Sequence, residues 1–502
     1  MSTDRTSARG LVLGITLAAL GSAAPVSAEP AAAEPSAEPS PQAGPSTHYL
    51  EAPDDPYLPP PPDRGRSPGA RIVRGGHVSV QVNVDALGMN LLGDAANEPS
   101  IAVDPADPDR IAIGWRQFDN IASNFRQGGW AFSTDGGASW TAGVIDAGVF
   151  RSDPVLVADR SGRFFYNSLE VADDNSFTCD VFASGDAGAS WGPPVDAGGG
   201  DKTWMTVDRT SGAGSDNLYT VWRTGIGCCG GDHFNRSLDR GATFGEPIPV
   251  PGSPYWASVA TGPDGEVYVA GADPSGDSIV VARSTSLRDP GQPMAFDGST
   301  AVDLGGEPWA YTGPNPGGML GQIWIAVVPS GPRRGDVHVL ASVNPPGPDP
   351  LGVYSARSTD GGVTWSPPVR VDDDPGTEGW QWFGTLGIAP GGRLDAVWND
   401  TRSDPGGVLS VLRYAFSEDG GATWSASEAL SPAFDPHLGW PQQQKLGDYY
   451  HLVSEDDRIH LAWAATFNGE QDVYYLRLPV QRSLFRDGFE NGGLGAWSTI
   501  FP

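Results

Sequence analysis

From His77 onward the chain alternates between apolar and polar residues. Val78, Val80, Val82 and Val84 are separated by polar partners, the two-residue period of a strand with one buried face. A longer pattern follows, in which an apolar strand, a polar turn and a second strand ending in a bulky residue form a hairpin. Its copies pair Ile101 to Val103 with Ile111 to Trp115, Val155 to Val157 with Phe164 to Leu169, Met205 to Val207 with Leu218 to Trp222, and Ala257 to Val259 with Val267 to Ala270. They continue with Ile325 to Val327 and Val337 to Leu340, Leu386 to Ile388 and Leu394 to Trp398, and His451 to Val453 and Ile459 to Trp463, making seven units. The spacing of roughly 50 to 70 residues is that of a four-stranded unit with variable loops.

An octet of the form S-x-D-x-G-x-[S/T]-[W/F] punctuates these units. It occurs at Ser133 to Trp140, Ser184 to Trp191, Ser237 to Phe244, Ser358 to Trp365 and Ser417 to Trp424, each time between two apolar runs, so it is expected to be a hairpin turn. Its Asp can accept bonds from main-chain N–H groups two or three residues on, and its recurrent Gly supplies a positive φ. The closing Trp or Phe buries a large ring where the next strand starts.

These octets resemble the Asp-box, or bacterial neuraminidase repeat, of the sialidase superfamily. The resemblance implies an all-β fold, a β-propeller of four-stranded blades, with the boxes on the face away from substrate. It would suggest six blades, whereas the hairpins count seven. The seventh unit runs out of chain after a third strand at Val473 to Leu476, and the strand at Val78 to Val84 is expected to complete it and close the ring.

Composition bounds the rest. In 502 residues, Gly 68, Pro 46 and Trp 17 favour short strands and many turns, and the repeat makes residues 71–480 one large domain. A net charge of −30 argues against nucleic acid or an anionic membrane surface as partner. Arg5, Arg9, the apolar run Leu11 to Leu20 and the small residues Val26-Ser27-Ala28 read as a secretory signal peptide over 1–28. No later stretch reads as a membrane span, so a secreted, monomeric protein is expected. Residues 29–70, rich in Ala, Glu and Pro, read as a linker, and 481–502 as a short C-terminal tail. The three cysteines allow either a bond from Cys179 to one of the adjacent pair or a vicinal bond between Cys228 and Cys229.

In a propeller, residues just before strand one and just after strand two of each blade open on one face. Here those positions hold Asn97 and Glu98, Arg151 and Asp153, Asp201 and Lys202, Tyr255 and Trp256, Trp380 and Trp382, and Asp448 with Tyr449 and Tyr450. After strand two come Arg116, Asp119, Glu170, Arg223, Asp400 and Arg402. Carboxylates, arginines and flat rings converging on a pocket suit a glycan. The sialidase resemblance implies a glycoside hydrolase with an arginine clamp, here Arg116, Arg223 and Arg402, a Tyr449 nucleophile activated by Glu98, and Asp119 as acid/base. Asp153 and Trp382 would complete the substrate pocket. The chain lacks the Phe/Tyr-Arg-Ile-Pro tetrapeptide of that family, which keeps a non-catalytic carbohydrate- or protein-binding propeller as the alternative. No cofactor is expected. The acidic runs Asp372 to Asp374 and Asp104 to Asp109 are candidates for Ca²⁺.

Overall fold

The computed structural model describes residues 56–172, 176–308 and 310–480. The segment read as a signal peptide, most of the linker and the tail from 481 lie outside them. Among the described residues the secondary structure is strand and turn, with no helix long and apolar enough to cross a membrane.

The seven hairpins are the inner halves of seven blades in a ring. Blade 1 is built from Ala95–Asp104, Asp107–Phe118, Gln127–Ser133 and Thr141–Ile145, paired antiparallel in sequence order from the axis outwards. Blades 2, 4, 5 and 6 repeat that order, starting at Arg151–Ala158, Tyr255–Thr261, Trp324–Val327 and Gln381–Ile388. In blade 3, which starts at Trp204–Val207, the outermost strand shrinks to a single bridge between Phe234 and Ile248.

Ring closure falls in blade 7. His451–Ser454, Arg458–Ala465 and Asp472–Pro479 come from the end of the chain and His77–Gln81 from its beginning, with Ser79 opposite Leu476 and Gln81 opposite Tyr474. Val82 N–H extends the pairing to Val473 O at 2.8 Å. The expected N-terminal closing strand is thus in place. Two features go beyond the expectation: Arg71–Arg74 adds a fifth strand outside His77–Gln81, and Arg66–Pro68, within the stretch read as linker, pairs with Met89–Leu91.

All five octets fold alike, between strands three and four. In the first, Ser133 Oγ donates to Asp135 Oδ1 at 2.7 Å and accepts from Gly137 N at 2.9 Å, while Asp135 receives the Ser139 N–H at 3.0 Å and the Ser139 hydroxyl at 2.6 Å. The other four repeat these bonds. The Asp caps the N–H four residues on and, in the fourth octet, also the expected one three residues on, Val363 N to Asp360 Oδ1 at 3.1 Å, within a turn closed by the positive-φ glycine. The rings reach the preceding blade: Trp140 packs edge-on to Tyr475 of blade 7 at 5.2 Å, and Trp191 to Trp130 of blade 1 at 6.4 Å.

Of the two cysteine pairings open to the sequence, the structure takes the vicinal one. Cys228 and Cys229 are bonded and Cys179 is a buried thiol.

Candidate functional site

The loop face of the ring, opposite the octets, is shaped by one irregularity repeated around the axis. In blades 1, 2, 4 and 6, three residues of the inner strand oppose two of its partner: Asn97 to Ser100, Ser152 to Val155, Tyr255 to Ser258 and Trp382 to Thr385. Blade 3 does the same, with Arg223 N bonded to Asp201 O at 3.0 Å and Trp204 opposite Val221. Inside each bulge a residue other than glycine has positive φ: Glu98 (50°), Asp153 (48°), Lys202 (57°), Trp256 (51°) and Phe383 (60°). Each such conformation costs on the order of 1–3 kcal/mol and must be imposed by its surroundings. The bulges re-aim these side chains, and in blades 1 to 3 the re-aimed groups are charged.

Those charges form one sealed network. Glu98 Oε1 lies 3.2 Å from both Arg116 Nη2 and Lys445 Nζ. Asp448 Oδ2 lies 2.6 Å from both Lys445 Nζ and Lys202 Nζ, and Lys202 also faces Asp201 at 3.6 Å and Asp153 at 3.9 Å. No side chain of these seven is more than 5% exposed. The approach is occupied by chain: Gln443 Oε1 accepts from Arg116 Nη1 at 2.9 Å, Met319 N donates to Asp448 Oδ1 at 2.8 Å, and Asn315 Nδ2 donates to Gly447 O at 2.8 Å. Burial raises the Glu98 carboxyl, and Asp448 adds to that rise against Arg116 and Lys445. Burial would raise Asp448 too, but Lys202, Lys445 and Arg116 together hold it well below the usual range. Of the two carboxyls, Glu98 is the one whose protonated form is favoured and Asp448 the one whose charge is favoured.

Tyr449 lies beside this network. Its phenol is pushed well above 10, first by burial and then by the neighbouring Glu98 and Asp153 carboxyls, and its hydroxyl donates to Pro154 O at 3.0 Å. Tyr449, Glu98, Arg116 and Asp153 are thus brought together as the sequence suggested. The other candidates are not. Asp119, raised by burial, accepts from Gln127 Nε2 at 2.6 Å and feels Arg64, not Arg116 or Lys445. Arg223 pairs with Asp201 at 3.4 Å and lies over the Tyr255 ring at 5.1 Å. Arg402 is bound to Asp400 at 2.7 Å and to Asp373 at 2.7 Å. The three arginines share no carboxylate, so they form no common clamp. Trp382, expected to face a sugar, is fully buried, with Nε1 on Ser410 Oγ at 3.0 Å and its ring against Phe383 at 4.5 Å. The bulge turns Phe383 in place of Trp382, a one-residue shift that spacing alone does not reveal.

Lys445 and Gln443, which complete the network, were missed: they come from an irregular loop before blade 7 with no periodicity to mark them. Lys202 and Asp448 were legible as polar residues ahead of an inner strand. The acidic runs proposed for Ca²⁺ are divided among other partners. Asp372 binds Arg370, Asp373 binds Arg402 and Ser427, and Asp374 binds Gln381 and Gly376 N. Asp104 takes Ala106 N and Arg110.

No protein-family model matches the chain, and no curated protein matches it. The arrangement belongs to the class of seven-bladed all-β propellers. Among solved structures, a protein of unknown function from Dyadobacter fermentans is similar at 15% identity, over 81% of this chain and 99% of that one, with a TM-score of 0.48. A Trypanosoma rangeli sialidase is similar at 10% identity over 82% of this chain, which spans 59% of the sialidase, with a TM-score of 0.40. The intramolecular trans-sialidase from Ruminococcus gnavus is similar at 15% identity, over 77% and 96%, with a TM-score of 0.38.

Proposed function

We propose that this protein is an exported, monomeric propeller that binds glycan on its loop face without hydrolysing it. The observation that carries this reading is the saturation of the candidate catalytic groups. Glu98, Arg116, Lys202, Lys445, Asp448, Asp153 and Asp201 engage one another in a buried network, and the Tyr449 hydroxyl is committed to a main-chain carbonyl. A nucleophile so placed has neither an open approach nor a base free to take its proton.

Glycan as ligand is supported by the half-buried groups around the network. Tyr255, Trp256 and Trp380 present partly exposed rings, and Arg223 and Arg402 partly exposed guanidiniums, the combination that stacks on pyranose faces and fixes hydroxyls or a carboxylate. The octets, read as Asp-boxes, fit the same assignment. Export is supported by the Cys228–Cys229 bond, which suits an oxidising compartment.

A sialidase-like hydrolase is the second reading. It is favoured by one observation: Glu98 acts on Tyr449 while Arg116 holds Glu98, as nucleophile, activator and clamp would. In that reading the loop at 443–448 must move to admit substrate. Release of 4-methylumbelliferone from its sialoside, together with a glycan array, separates the two. The expected result is no turnover, with array binding that drops about tenfold in Arg223→Ala or Trp380→Ala. Turnover that Tyr449→Phe abolishes would establish the hydrolase instead.

A further inference from the structure

The inner strands enclose a channel of about 450 Å³ that lies along the ring axis below the charged network. Its deep end is an aromatic plug: Trp204 meets Trp324 edge-on at 5.0 Å and Tyr449 at 5.2 Å, and His451 stacks on Trp324 at 5.7 Å. Its walls are aliphatic, including Leu156, Met205, Val259, Ile325, Leu386 and Leu452. Pro105, Arg209, Pro329 and Pro390, from the turns between strands one and two, and Ser454, at the end of the blade 7 inner strand, surround the mouth. It therefore opens on the octet side, away from the loop face.

The polar groups of this channel are donors left over. Arg209 Nε donates to Ala158 O at 2.7 Å, while its two terminal nitrogens have no partner among the described residues. Arg209 is exposed at the mouth, where the charges of Asp159 and Asp104 favour its charged form without an ion pair to either, so its guanidinium can meet a ligand that enters the largely apolar cavity. His451 supplies a second donor. The Ile101 main-chain N–H points at His451 Nδ1 at 3.2 Å, and the Ser100 hydroxyl, which itself accepts from Leu156 N, adds to it at 2.9 Å. A main-chain N–H can only donate, so Nδ1 is the acceptor and the ring proton sits on Nε2, which has no partner among the described residues. The Trp324 indole N–H, in the same plug, is also without an acceptor. Burial and Arg209 hold the His451 imidazole down to about 3, so it stays neutral and donating at ordinary pH.

We propose that this channel is a second binding site, for a small organic anion whose carboxylate meets the Arg209 guanidinium and whose apolar body lies between the inner strands. The flat two-donor fork of arginine matches a carboxylate's two oxygens, and a cavity of this size with few, convergent polar groups is the usual form of a small-ligand site. A neutral hydrocarbon would gain no charge-assisted bond from the guanidinium at the mouth, which disfavours it. Of the nearby carboxylates, Asp159 and Asp104 are paired with Arg240 and Arg110, and Glu455 and Asp457 with Arg458, and none forms an ion pair with Arg209 among the described residues. This inference rests on the octet side alone and stands or falls independently of the reading of the loop face.

The test uses the whole protein and two probes of equal chain length, octanoate and octanol, followed by calorimetry and by the fluorescence of Trp204 and Trp324. Octanoate is expected to bind more tightly than octanol, by about tenfold or more, and Arg209→Gln is expected to remove that preference. Thr206→Trp, which fills the channel from the inner strand of blade 3, should abolish octanoate binding and leave glycan binding unchanged. Equal affinity for both probes overturns the proposal, as does an Arg209→Gln protein that binds octanoate unchanged. The absence of octanoate binding at millimolar concentration overturns it as well. The probe comparison needs only the unaltered chain, so a folding defect in a variant does not shield the idea.

Discussion

Glu98 and Arg116 face each other across the inner hairpin of blade 1, Oε1 to Nη2 at 3.2 Å, and neither side chain is exposed to solvent. The pair is one edge of a network in which removing a charge has very different consequences from removing a proton. Arg116→Met leaves Lys445, Glu98 and Asp448 unbalanced in a buried site and is expected to cost about 3–5 kcal/mol in urea unfolding. Glu98→Gln keeps the size and neutrality of a protonated Glu98 and is expected to cost about 1 kcal/mol or less. Equal losses in the two variants would show that Glu98 is ionised.

Stability should fall on both sides of mildly acidic pH. Burial raises Asp94 to about 7 and Asp372 to about 6 from an ordinary 3.8. Folded values above unfolded ones mean stability that is complete below about 4 and is lost as pH rises through 6 and 7. Asp419 works the other way. Burial would raise it, but its bonds from Thr423 and Ser417 bring it down to about 2, so its contribution is present above about 4 and disappears as pH falls toward 2. The urea midpoint is expected to be higher at pH 5 than at pH 8. Asp94→Asn, which can still accept the bond from Gln117, should flatten that decline.

The octets should be sensitive at their glycine. Gly137 sits at φ +85°, and a Cβ there would run into the Tyr475 ring of blade 7. Gly137→Ala is expected to destabilise by on the order of 1–3 kcal/mol from backbone strain alone, with more from the displaced ring. A melt of the variant beside Gly136→Ala, where the obstacles are the ends of the Arg477 and Asp109 side chains, separates the two contributions.

Thiol chemistry distinguishes the cysteine pairings directly. One thiol per chain is expected, unreactive in the native protein because Cys179 is fully buried and pushed up to about 12 by burial, and reactive in denaturant. Peptide mapping that joins Cys179 to either neighbour would contradict the vicinal bond.

Closure of the ring can be tested at Val80, opposite Tyr475. Val80→Pro removes a ladder N–H and stiffens the closing strand, so a loss of about 3 kcal/mol or more and a tendency to associate through the freed edge of Asp472–Pro479 are expected by thermal melt and light scattering.

The sequence by itself determined the all-β class, the count of blades, the closing strand and the octet turns. Each is written in local terms: a two-residue period, a fixed spacing of Ser, Asp and Gly, and a unit that ends one strand short. It also placed Tyr449, Glu98, Arg116 and Asp153 on one face, because the position before an inner strand or after the second is a topological address. What only the tertiary structure decided is which way those side chains turn and whether they are free. A one-residue bulge shifts the aim from Trp382 to Phe383, and a loop with no pattern of its own brings Lys445 and Gln443 onto Glu98 and Arg116. Charge pairing among residues far apart in the chain depends on distances of a few ångströms, and no periodicity encodes them. The channel with Arg209 and His451 belongs to the same category, since an unpartnered donor becomes visible only when every neighbour is in place.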